Sequence, residues 1–148
     1  SAGRKAQEDK EVDIDNRASS PQYGPTNPEP REQEAAGVRR FASIIGLRQE
    51  KEAYYRELHA QVWPGVIGRL RKSNVSNYSI HLLETRGEKF LVSYLEYTGN
   101  DYEADMKAIA EDPETRRWWK ETDPCQYSLD PGETGLRWTP MEMVFWME

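Results

Sequence analysis

Residues 77–97, NYSIHLLETRGEKFLVSYLEY, decide the fold. Two runs within them, 77–83 and 89–97, are rich in β-branched, aromatic and leucine residues and have the length of strands. Between them lie Glu84, Thr85, Arg86, Gly87 and Glu88, a length and glycine content suited to a hairpin loop. The stretch therefore predicts two adjacent antiparallel strands.

Working toward the N-terminus, residues 49–73 take a helical period. Tyr54, Leu58 and Val62 recur every four residues and Val66 and Leu70 continue the stripe, while Glu50, Lys51, Arg56 and Glu57 face outward. Pro64 lacks an amide hydrogen, so the helix should break into two pieces at Trp63-Pro64. Residues 38–47, VRRFASIIGL, read as a partly buried strand. Toward the C-terminus, Asn100 or Asp101 is placed to cap a helix running through Ala110. Asp112 caps a second that starts at Pro113. Residues 127–139, with Pro131, Gly132 and Gly135, read as a loop, and 141–147, MEMVFWM, as a last strand.

The resulting order, β-α-β-β-α-β, is the ferredoxin-like split unit: an α+β sandwich with an antiparallel sheet and helices on one face. Its other face is left open. A two-fold homodimer with those faces meeting, a dimeric α/β barrel, would cover it.

The body predicted in this way spans 38–148. Residues 1–37 carry Pro21, Pro25, Pro28 and Pro30, abundant charge, and only Val12, Ile14 and Tyr23 as apolar groups larger than alanine, a composition that predicts a flexible N-terminal arm. The chain of 148 residues has a net charge of −6 and shows no basic stripe interleaved with aromatics, which argues against a nucleic-acid partner and for a neutral small molecule. One cysteine, Cys125, allows no internal disulfide, and with two histidines the ligand set is too small for a structural zinc site. No apolar run approaches a membrane span and the start has no hydrophobic signal core, so a cytoplasmic protein is expected, with a trimmed targeting segment left open.

Two histidines limit where imidazole chemistry could sit. His59 lies four residues after Tyr55 and four before Trp63, so the three share one helical face. Partial burial there would hold an imidazole near the pH where acid/base exchange is efficient; the plainer reading is a hydrogen-bonded helix histidine. His81 shares a strand face with Ser79 and Leu83 and reads as structural. Trp118 and Trp119, preceded by Arg116 and Arg117, diverge by about 100° around a helix, so one should face the core and the other a cleft. An indole stacks on the C–H face of a sugar ring, and core packing with a dimer contact explains the pair equally well. No paired-carboxylate, phosphate-loop or metal-ligand spacing stands out.

Taken together, YRELHAQVWP at 55–64, NYSI at 77–80, RWW at 117–119 and Val144-Phe145 in the last strand resemble the L-rhamnose mutarotase family, over about 38–148. The resemblance implies a ferredoxin-like dimer with no cofactor and no metal. It implies an isomerase that interconverts the α and β anomers of L-rhamnose or a related 6-deoxy aldose. On the same ground His59 is the proton donor to the ring oxygen, and Tyr55, Tyr78, Trp118 and Trp119 are substrate contacts, with Tyr55 or a bound water handling the anomeric hydroxyl. Two other readings suit this architecture. One is a cofactor-independent monooxygenase, for which a histidine beside tryptophans is equally natural; the other is a catalytically silent sugar- or protein-binding module whose arm recruits a partner.

Overall fold

The computed structural model describes residues 20–132 and 135–148. They fall into two compact units, one of residues 30–143 and one in which residues up to 29 join 144–148. The expectation of a flexible arm falls in large part on residues 1–19, which lie outside the described residues. In the smaller unit, Gly24 and Asn27 exchange backbone hydrogen bonds of 3.0 Å across a tight turn. The Trp146 N–H donates to the Thr26 carbonyl at 2.8 Å.

The larger unit opens with a short helix, α1 (Pro30–Ala35), inside the stretch expected to be an arm. Its Gln33 is buried because its side-chain oxygen accepts from the Arg40 N–H at 3.0 Å, tying the helix to the first strand. That strand, β1 (Arg39–Leu47), pairs along its whole length with β3 (Glu88–Tyr97), from Arg39↔Tyr97 to Leu47↔Lys89. β3 forms a hairpin with β2 (Val75–Thr85). Pairing continues to Thr85↔Glu88, so the connection is only Arg86 and Gly87, at φ 54° and 75°. Two consecutive positive φ values make the tight turn whose twist matches antiparallel strands, and a glycine in the second position fits it. The loop is thus shorter than the five residues expected.

The helices lie where the caps and prolines placed them. α2 (Glu52–Ala60) follows a 3-10 turn at Gln49–Lys51, and α3 (Pro64–Lys72) starts at the predicted break with Pro64 in its first turn. α4 (Tyr102–Glu111) is capped by Asp101, whose side chain accepts from the Ala104 N–H. α5 (Pro113–Thr122) is capped by Asp112, which accepts from both the N–H and the hydroxyl of Thr115 at 2.9 and 2.8 Å.

The C-terminal end of the sheet departs from expectation. β1's second edge is shared by two short strands: β4 (Gln126–Tyr127) pairs with Gly46 and Leu47, and β5 (Thr139–Met141) with Ala42 to Ile44. A strand over 141–147 does not form; only Met141 of that run pairs, and 142–148 hold no strand. The apolar pattern of the run is real, but Val144, Phe145 and Met147 are all exposed, so nothing among the described residues rewards extending the ladder.

The sheet is antiparallel throughout, in the order β2-β3-β1-β4, which is the ferredoxin-like arrangement. Strand alternation sends Ile45, Leu47 and Leu91 to the helix side, where they pack with Tyr55 and Cys125 into the core; Ile80 and Trp138 close its margin. Burying each such aliphatic side chain is worth about 1.5–3 kcal/mol. The opposite face carries Ala42, Ile44, Phe90, Val92, Leu83 and Met141, none of them buried. No helix among the described residues is long and apolar enough to cross a membrane.

Candidate active site

α2 carries two of the expected site residues one turn apart. The Tyr55 and His59 rings stack at 4.0 Å with 24° between their planes. His59 Nδ1 lies 2.9 Å from the Tyr55 carbonyl oxygen one helical turn back, whose second lone pair can take a side-chain donor. A carbonyl only accepts, so Nδ1 carries the hydrogen and, in the neutral ring, the lone pair is on Nε2.

The double tryptophan divides as its helical spacing predicts. Trp118 is 6 % exposed and meets the His59 ring edge-on at 5.2 Å, and Trp63, at the break between α2 and α3, meets Trp118 at 5.1 Å. Trp119 is 38 % exposed, and among the described residues no ring contact joins it to this cluster. The hydrophobic surroundings penalise the charged imidazole and pull the His59 pKa below its ordinary value, against the smaller opposing pull of the Tyr55 carbonyl.

In front of the stacked pair is a cavity of about 340 Å³, lined by Tyr55, Arg56, His59, Ala60, Ile80, Leu82 and Leu91. That lies at the small end of ligand pockets, a size for one monosaccharide ring. Its two sides differ in chemistry: α2 presents a phenol and an imidazole, and the sheet presents three aliphatic side chains. Burial drives the Tyr55 pKa far above the ordinary phenol value, so this hydroxyl keeps its proton. At the rim, Glu52 accepts from Lys89 and, at 2.8 Å, from Arg56; those two cations hold its carboxyl below the usual range.

Tyr78 sits in a β-bulge. Pairing runs Ser76↔Glu96 and resumes at Ser79↔Tyr94, so Asn77 and Tyr78 together oppose Leu95, with Asn77 at φ 46°. The bulge takes Tyr78 out of simple alternation. Although 42 % of the residue stays accessible, partial burial raises the pKa of its hydroxyl, and it is an electrostatic neighbour of Tyr55.

The expected inward stripe of α2 is rotated by one residue. Tyr54 lies at the surface and donates to Glu121 at 2.6 Å, while Tyr55 is buried. His81 bonds Ser79 at 3.0 Å on the sheet face away from the cavity, as its strand position implied. Residues not singled out in the sequence complete the site: Ile80, Leu82 and Leu91 as a wall, and the buried Gln126, whose amide nitrogen lies 3.5 Å from the Tyr55 hydroxyl. Gln126 precedes a stretch that reads as a loop, and only its pairing with Leu47 turns it inward.

Residues 40–147 match the family model described as L-rhamnose mutarotase. The chain belongs to the L-rhamnose mutarotase family. Among its relatives, the L-rhamnose mutarotase of Lactiplantibacillus plantarum is 33% identical over 85 residues, covering 57% of this chain and 77% of that one. The enzyme of Bacillus subtilis is 32% identical over 87 residues, covering 59% and 79%. In structure, the family member from Formosa agariphila superposes with a TM-score of 0.55 at 24% identity, covering 74% of this chain and 98% of that one, which supports the ferredoxin-like fold.

Proposed function

We infer that this mutarotase-family chain interconverts the α and β anomers of L-rhamnose or a closely related 6-deoxy aldose. The reading rests on the 2.9 Å contact of His59 Nδ1 with the Tyr55 carbonyl. With Nδ1 committed to the Tyr55 carbonyl, Nε2 is left as the ring's working atom, beside a monosaccharide-sized cavity.

The proton balance is simple. Neutral His59 accepts the proton of the anomeric hydroxyl at Nε2, the C1–O5 bond breaks as the C1=O1 carbonyl forms, and the imidazolium delivers the same proton to O5. Rotation about C1–C2 and the reverse sequence give the other anomer. His59 is thus the proton donor to the ring oxygen because it has first been the acceptor. Tyr55, held protonated by burial, does not serve as a base; it hydrogen-bonds O1 as charge develops there. Tyr78 and Trp118 are not among the side chains that line the cavity; Trp118, packed edge-on against His59, holds the imidazole in place. The exposed Trp119 would reach a sugar only at the mouth.

The aliphatic wall of Ile80, Leu82 and Leu91 suits a C6 methyl and offers a C6 hydroxyl no partner. Saturation-difference NMR on the anomeric protons, comparing L-rhamnose with its 6-hydroxy counterpart L-mannose, tests this. Exchange of both is expected, with kcat/KM about 10- to 100-fold higher for L-rhamnose. Folded protein that protects itself thermally with the sugar but does not speed exchange would instead be a silent binding module. The open sheet face also supports assembly as a homodimer of this chain.

A further inference from the structure

We propose that Gln126, oriented by Arg137, is a positioning residue that turns the Tyr55 hydroxyl proton into the cavity; the inference rests on the isomerase reading of that cavity. β4 is only two residues long, but its pairing Leu47↔Gln126 sends the Gln126 side chain to the core side of the sheet, where it is buried. A buried amide needs partners at both ends. Its Oε1 accepts from Arg137 Nη2 at 3.3 Å, which fixes the other end, Nε2, as the donor facing Tyr55 at 3.5 Å. Arg137 is itself held: its Nη2 donates to the Asp123 carbonyl at 3.1 Å and its Nε lies 3.4 Å from the Asp123 carboxylate.

The consequence is directional. A phenol oxygen that accepts from an amide points its own O–H elsewhere, and among the described residues that proton has no protein acceptor. Tyr55 lines the cavity, so the remaining acceptor is a sugar oxygen. At 3.5 Å the contact is long and orients the hydroxyl more than it binds it. Arg137 matters because it prevents the amide from flipping; with the flip, Gln126 would accept from Tyr55 and draw the proton inward.

A double-mutant cycle separates positioning from structure. Gln126→Glu keeps the Arg137 partner but places an acceptor against the phenol, reversing its hydrogen. Anomer exchange of L-rhamnose is measured for the wild type, Gln126→Glu, Tyr55→Phe and the double variant, with thermal unfolding as the fold check. Each single change should lower kcat by about 10- to 100-fold with KM moving by less than about threefold, and the double should be no slower than Tyr55→Phe alone. Losses that multiply, or a Gln126→Glu variant with wild-type kcat, overturn the proposal while leaving the isomerase reading intact. A folded wild type without exchange overturns both. Should Gln126→Glu not fold, Arg137→Gln decides: about tenfold loss with Tyr55 present and none in Tyr55→Phe supports the proposal, and equal losses in both overturn it.

Discussion

His59 is one of two histidines in the chain, and spacing alone put it on a face with Tyr55 and Trp63. What spacing did not carry is the hydrogen bond to the Tyr55 carbonyl, which turns a helix histidine into one with a defined free nitrogen. Nor did it separate Tyr54 from Tyr55, since two adjacent tyrosines fit the helical period almost equally and the choice falls to Glu121 and the sheet beneath. The titration follows from burial. On the proposed mechanism neutral His59 is the competent form, and burial lowers its pKa, so kcat/KM should be flat above the ordinary histidine value of about 6.5 and fall only below it. A profile that declines as pH rises through that value would contradict the assignment. The same shift sets a stability dependence. The unfolded chain binds the proton more readily, so unfolding free energy should rise with pH within the window just below about 6.5 and level off above it. Urea titrations across that range should show part of this slope vanish in His59→Asn.

At the scale of elements, sequence was most informative where local chemistry decides. Asp101 and Asp112 cap their helices, Pro64 separates α2 from α3, and the Arg86-Gly87 turn closes the hairpin. It was least informative where partners are distant: β4 forms where Gly46 and Leu47 offer it an edge, and β5 stops at Met141, the apolar run beyond it pairing with no strand among the described residues. Gly46 is the residue that admits β4. A Cβ there would overlap the Tyr127 ring, so Gly46→Ala should cost about 1–3 kcal/mol of overpacking, read as a lowered Tm. Because β4 also carries Gln126, kcat should fall with it. A stable Gly46→Ala protein with full activity would show that β4 does not hold the site.

For the whole molecule, the sheet face that carries Ile44, Leu83 and Val92, none of them buried, was legible as a consequence of the β-α-β-β-α-β order, but its partner is not written in a single chain. Sedimentation velocity should give about twice the monomer mass of 17.2 kDa, and Val92→Glu, in the middle of that face, should shift the population to monomer. A wild type that stays monomeric at micromolar concentration would remove the dimer. On the proposed mechanism His59 moves a proton between the two oxygens on the anomeric carbon. The most direct test is saturation transfer between the α and β anomeric protons of L-rhamnose, at a pH where spontaneous exchange is slow, for wild type and His59→Asn side by side. Rapid transfer is expected with the wild type and a loss of about 10²–10⁴-fold in a folded His59→Asn; equal transfer by the two proteins would remove His59 from the proton path.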